Sequence, residues 1–115
     1  MLFREVEADD REEWLRMRQT IWPQHNKNEH LNEMDGICRD PNCQIFVLER
    51  ANGKMGGVVE IATRPYAEDC HSSPIGYIEG WYVDEDLHQQ GCGSRLIRAA
   101  ENWARSRGCT EMASD

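Results

Sequence analysis

Hydrophobic and polar positions change period several times along this chain, and each change marks an element. Residues 2–6 read as a first strand. Trp14, Leu15, Met17 and Ile21 then give a helix one apolar side; it opens at the capping-box-like Asp9-x-x-Glu12 and ends at Pro23. Leu31, Met34 and Ile37 keep helical spacing through a shorter helix over 28–38, broken by Pro41-Asn42. Residues 44–50 and 55–64 read as strands joined at Asn52-Gly53, a dipeptide suited to tight hairpin turns. Gly56-Gly57 marks either a bulge or a close backbone approach, and this hairpin shows no obvious chemistry.

A polar loop over 65–74 leads into the stretch around which the rest is arranged. Tyr77 to Val83 is rich in aromatic and β-branched residues and predicts a strand. Residues 88–94 form a polar turn bearing Gly91 and Gly93. After it Leu96, Ile97, Ala100, Trp103 and Ala104 recur on one helical face, and Gly108 stops the helix. Strand, glycine turn and helix in that order aim backbone N–H groups at one point, where the helix start adds partial positive charge. Such a site can hold a phosphate without a lysine, and the same Gly-x-Gly before a helix can also be only a tight turn. It is neither a Rossmann fingerprint, which needs a third glycine, nor a P-loop, which needs Gly-Lys-Ser/Thr.

Composition narrows the class. A chain of 115 residues predicts a single domain over 1–115 with a usable core. No apolar run approaches the roughly 20 residues that span a bilayer, and no basic-then-apolar start marks a secretory signal. No membrane partner is expected, and the cytoplasm is the expected compartment. Five cysteines, an odd number without Cys-x-x-Cys spacing, point to reduced thiols and to no metal site. Cys92 is read as filling space within the turn. A net charge of −8 disfavours nucleic acid as a partner and favours a cationic one.

The turn, written His88-x-x-Gly91-x-Gly93, resembles the acyl-CoA-binding segment of the GCN5-related N-acetyltransferases (GNAT), Arg/Gln-x-x-Gly-x-Gly/Ala. His88 departs from the Arg or Gln of that pattern, which puts a side-chain contact to the pyrophosphate in doubt while leaving the backbone cradle. Ile21-Trp22-Pro23-x-His25, Ser72-Ser73-Pro74, Glu79-Gly80 and the closing Gly108-Cys109-x-Glu111-Met112-Ala113-Ser114-Asp115 resemble aminoglycoside 6'-N-acetyltransferases within that superfamily.

The resemblance implies an α/β GNAT fold: a mixed, mostly antiparallel central sheet flanked by helices. It also implies acetyl-CoA as co-substrate and a small cationic amine as acceptor, with antibiotic resistance as the consequence. Backbone groups of Trp81, Tyr82 and Val83 would pair with the pantetheine arm and polarise the thioester carbonyl. Gln89, Gln90, Gly91, Cys92, Gly93 and Ser94 would hold the pyrophosphate. By strand alternation Tyr77, Glu79, Trp81 and Val83 share one face. Glu79 is then either a partly exposed carboxylate at a sheet edge or the group that binds the ammonium and takes its proton. The resemblance places Asp115 in the same acidic pocket. It also favours sugar stacking for Trp22, whose residue type alone reads as a core aromatic. Tyr66 is assigned to the pocket. For His25 a surface or capping role and a substrate contact stay open.

Family chains continue past this point through another helix and two strands that supply further CoA and substrate contacts. The expectation is therefore a carboxyl-terminally truncated member whose Tyr77, Ile78, Trp81, Tyr82 and Met112 lack cover, completed by a homo-oligomer, a dimer in the simplest case. The alternatives are a noncatalytic, CoA-binding or self-associating remnant, and a transferase acting on another small amine.

Overall fold

The computed structural model describes residues 1–114; Asp115 lies outside the described residues. Five strands form one sheet in chain order: β1 (Leu2–Glu5), β2 (Cys43–Glu49), β3 (Met55–Arg64), β4 (Ile75–Val83) and β5 (Met112–Ser114). β1 to β4 pair antiparallel through short connections or the α1–α2 excursion, whereas β5 runs parallel to β4. A parallel pair needs a crossover, and α3 (Cys92–Ser106) provides it.

Helices cover both faces. Along β2 and β3 neighbouring residues point to opposite sides, so Leu48 and Val59 pack with Leu96 and Ala100 of α3. Val47 and Val58 pack instead with Trp14 and Met17 of α1 (Arg11–Ile21) and Met34 of α2 (Lys27–Arg39). Among the described residues, the lack of cover expected for β4 is confined to Trp81. Ile78 is buried under α3, Tyr82 packs on the α1–α2 core and Met112 on the α3 core; of those five residues Trp81 alone is exposed.

Two local readings change. The turn into α1 is closed by Asp10, not by Asp9 and Glu12: the Glu7 N–H donates to Asp10 Oδ2 at 2.7 Å, and the Arg4 guanidinium forks the same carboxylate at 2.8 and 3.0 Å. α2 begins at Lys27 behind a reciprocal cap, in which the Glu29 N–H donates to Asn26 Oδ1 and the Asn26 N–H to Glu29 Oε1.

The larger change is in β4. Glu60 pairs with Gly80 but Ile61 pairs with Ile78, so Glu79 is an extra residue in a bulge. Alternation is reset there. Ile78 and Val83, five positions apart, both pack on the α3 side, and Trp81 lies beside Gly93 at the start of α3. Glu79 and Gly80 face the opposite side, toward Trp22. The shared face expected for Glu79, Trp81 and Val83 does not exist, because one inserted residue moves every later side chain across the sheet.

Candidate active site

The bulge separates two hollows. On the α1–α2 side a cleft of about 330 Å³ is bounded by Arg18 of α1 and Trp22 just past its end, His25 and Glu33, Cys43 and Glu60 of the sheet, and Glu79. Its floor is an ion network. Arg18 sits one helical turn after Trp14, so both enter the interior from one stripe. Arg18 Nη1 donates to both oxygens of Glu60 at 2.6 and 2.5 Å, and the Trp14 indole N–H donates to Oε2 at 2.9 Å. Arg18 Nη2 reaches Glu33 at 2.8 Å, and Nε donates to Nδ1 of buried His30 at 3.2 Å. Arg18 and Glu60 are only 1 % and 3 % exposed, so each charge depends on the other.

The rim is wetter. His25 Nδ1 lies 2.8 Å from Glu33 Oε1. The Trp22 ring stacks beneath the Arg18 guanidinium at 4.7 Å and lies over Gly80, where a Cβ would come within 2.5 Å of it. Glu79 is forked by Arg64 from the end of β3: Nε to Oε2 at 3.0 Å, Nη2 to Oε1 at 2.6 Å and to Oε2 at 2.8 Å. The same guanidinium lies 3.6 Å from the centre of the Tyr77 ring. Burial, followed by the charge of Asp40, pushes the Cys43 thiol up to about 11, so it lines the cleft as a neutral group at pH 7. His25, His30 and Glu33 hold three possible ligand atoms within 4.8 Å. Both His30 nitrogens are engaged, Nδ1 by Arg18 and Nε2 by the Trp22 carbonyl at 3.1 Å.

On the α3 side a second hollow of about 340 Å³ is bounded by Trp81, Val83, Gln89, Gly91, Gly93 and Ser94, among others. Gln89 and Gly91 are both left-handed, at φ 65° and 76°, on either side of Gln90. This curls the chain into the kind of concavity whose N–H groups bind anions. Gly91 is the N-cap of α3 and offers no side chain to the first N–H groups of the helix, so those of Cys92, Gly93 and Ser94 remain for a ligand. Cys92 itself is 1 % exposed within the α3 core. His88 also bounds this hollow, and its Nε2–H donates to the Val83 carbonyl at 2.8 Å, tying the turn to the end of β4. Gln90 Nε2 donates to the Asp86 carbonyl at 3.0 Å.

Of the residues expected on the amine side, Trp22, His25 and Glu79 therefore meet in one cleft. Tyr66 does not join them: it is 72 % exposed on the loop before β4 and does not bound the cleft. Asp115 lies outside the described residues. The hairpin read as free of chemistry supplies Glu60 and Arg64, and α1 and α2 supply Arg18 and Glu33. One signal was legible for Arg18 and Glu60. Arg18 is a cation on an apolar helical stripe, and Glu60 is a carboxylate inside the apolar run Val58-Val59-Glu60-Ile61-Ala62. Each is costly alone and acceptable together.

The bulged β4, with an anion cradle on one side and a carboxylate-lined cleft on the other, suits an enzyme that transfers a group from a phosphate-bearing donor. The chain belongs to the Acetyltransferase (GNAT) family, whose model matches residues 6–115. It is 42 % identical to "Aminoglycoside N(6')-acetyltransferase type 1" of Klebsiella aerogenes over 99 % of this chain and 77 % of that protein. Its backbone matches "Aminoglycoside N-Acetyltransferase AAC(6')-Iy in Complex with CoA" with a TM-score of 0.93 at 31 % identity, covering 99 % of this chain and 75 % of that one. The structure of AAC(6')-Iy with the "bisubstrate analog CoA-S-monomethyl-acetylneamine" is similar too, with a TM-score of 0.92 at 31 % identity over 99 % of this chain and 78 % of that one.

Proposed function

We propose that this acetyltransferase moves the acetyl group of acetyl-CoA to the 6'-amino group of an aminoglycoside. The observation that carries the reading is the placement of Glu79 and Trp81 on opposite sides of the β4 bulge, one in the carboxylate cleft and the other beside the anion cradle. Donor and acceptor would thus approach the same few backbone atoms from two faces.

The residues present fit acetyl-CoA. The start of α3 and the left-handed turn supply N–H groups for a pyrophosphate, and Gly93 leaves room for the Trp81 ring, which a Cβ would meet at 2.9 Å. When bound, acetyl-CoA supplies an activated thioester. Gln89, Gln90, Gly91, Cys92, Gly93 and Ser94 hold its pyrophosphate end, and the backbone of Trp81, Tyr82 and Val83 holds the pantetheine arm. A backbone N–H of that stretch polarises the carbonyl. In the cleft, Trp22 stacks on a sugar ring, while Glu33 and Glu79 attract ammonium groups; Asp115 is assigned the same task by the family resemblance alone. Glu79 or Asp115 takes the amine's proton, directly or through water. His25 holds Glu33 in place.

Resistance to aminoglycosides follows if the modified drug no longer binds its target. Five free thiols support a reducing, cytoplasmic setting, and among the described residues no helix is long and apolar enough to cross a membrane. A homodimer is the assembly proposed with this reading. Sedimentation at micromolar concentration tests it.

The test of the reaction is acetyl-CoA turnover on a panel of amines. Glu79→Gln and Asp115→Asn should each slow transfer to aminoglycosides while leaving the acetyl-CoA KM nearly unchanged. Rates that rise equally with simple monoamines, or neutral variants that match the wild type, would overturn the reading.

A further inference from the structure

We propose that Arg64 is a resident cation at the ammonium subsite of Glu79, displaced when the substrate's ammonium binds. This rests on reading the cleft as an amine site. The argument begins with which carboxylate oxygens are already taken. Glu33 has one oxygen on His25 and the other on Arg18. Glu60 has both on Arg18, one shared with Trp14. Glu79 has both on Arg64. A polycation entering this cleft therefore competes with donors the protein has put there itself.

The competitors differ in how readily they yield. The Arg18 side chain is 2 % exposed and ties α1 to the sheet and to α2, so removing it would strand the buried Glu60. The Arg64 side chain is 42 % exposed and the Glu79 side chain 30 % exposed, so their pair is already part-solvated. Arg64 ends β3, and its guanidinium lies on the face of Tyr77 beside open solvent. In the proposed exchange it swings outward, its charge kept hydrated and its stem still on the ring. An incoming ammonium that left it in place would face a guanidinium at hydrogen-bond distance from the same carboxylate, where like charges repel.

The role follows from this exchange. With no substrate present, Arg64 keeps Glu79 paired and oriented toward the cleft. A ligand gains Glu79 only if it brings a cation to that point, so a neutral sugar gains nothing from the site. Arg64 thus sets specificity for amines at the expense of affinity.

The experiment compares wild type, Arg64→Met and Arg64→Lys with neamine and acetyl-CoA. Methionine keeps an unbranched stem over Tyr77 and removes the charge; lysine keeps the charge and loses the fork. The KM for neamine should fall about fivefold in Arg64→Met, the scale of one part-exposed ion pair no longer contested. It should fall less in Arg64→Lys, and the acetyl-CoA KM should not move. A raised or unchanged neamine KM in both variants, or a loss confined to kcat, would mean that Arg64 merely positions Glu79, and would overturn the proposal. If Arg64→Met fails to fold, the lysine variant and a wild-type NMR measurement decide. The Arg64 Nε–H signal, identified by its loss in Arg64→Lys, should exchange faster with water once neamine is added. An unaltered Arg64 signal, while other cleft signals shift, would also overturn it. Wild type that neither binds nor acetylates neamine would instead bring down the amine-site reading, and this proposal with it.

Discussion

Trp22 and Gly80 are built against each other: the indole lies where a side chain at Gly80 would begin, with ring atoms 2.5 and 2.6 Å from an ideal Cβ. The bare backbone of the bulged strand is therefore the seat of the aromatic wall of the cleft. Gly80→Val should push the indole off its seat. The expected result is a neamine KM raised about tenfold or more, an acetyl-CoA KM changed by less than about twofold, and a stability loss of about 1–3 kcal/mol from overpacking. Steady-state kinetics with both substrates, alongside thermal unfolding, checks this.

The anion cradle depends on backbone shape rather than on a side chain. Gly91 has nothing within 4 Å of an added Cβ, so Gly91→Val acts through its left-handed φ of 76° alone, at a cost of about 1–3 kcal/mol. The turn should reorganise and the acetyl-CoA KM should rise about tenfold. His88→Ala removes only the donor to the Val83 carbonyl, worth about 1 kcal/mol, and should raise that KM less. Equal acetyl-CoA affinity for Gly91→Val and wild type, measured by titration calorimetry, would disprove the cradle.

The Arg18–Glu60 pair predicts non-additive stability. Arg18→Met leaves Glu60 buried with the Trp14 N–H as its remaining donor in this network, and should cost about 3–5 kcal/mol. Adding Glu60→Gln to it should recover part of that loss, because the stranded charge is gone. Urea unfolding of the two single variants and the double variant gives the cycle. Strict additivity would mean the two charges do not depend on each other.

Part of the acid sensitivity should trace to Asp10. The Arg4 guanidinium, assisted by the Glu7 N–H and opposed by burial, holds this carboxylate below its ordinary value of 3.8. The sign follows from that direction. Its contribution is whole above the unfolded value and is lost as pH falls through the lower, folded one. Asp10→Asn should therefore lower the urea midpoint above about pH 5, with the difference from wild type shrinking as the pH drops below about 4. A difference constant from pH 2 to 6 would remove Asp10 from the account.

Much of the frame was legible in the one-dimensional pattern because local rules decide it. The periods around Trp14, Met34 and Leu96, the turn at Asn52-Gly53 and the glycine turn before α3 depend on neighbours a few residues away. So does the anion cradle, since Gly91 and the helix start act through adjacent backbone. The resemblance, spread over separated stretches, added the family and the place of Trp22, His25 and Glu79. What the pattern could not contain was the pairing between strands. The bulge at Glu79 exists only relative to β3, where Glu60 meets Gly80 and Ile61 meets Ile78. Simple alternation therefore put Glu79 and Trp81 on one face, when they stand on two. Glu33 and Arg64 were hidden for the same reason, and Arg18 and Glu60 were legible as misplaced charges but not as partners. Arg18 and Glu60 lie 42 positions apart in sequence yet share two hydrogen bonds. A buried charge becomes tolerable only when folding brings its partner alongside, and that is decided by packing in three dimensions.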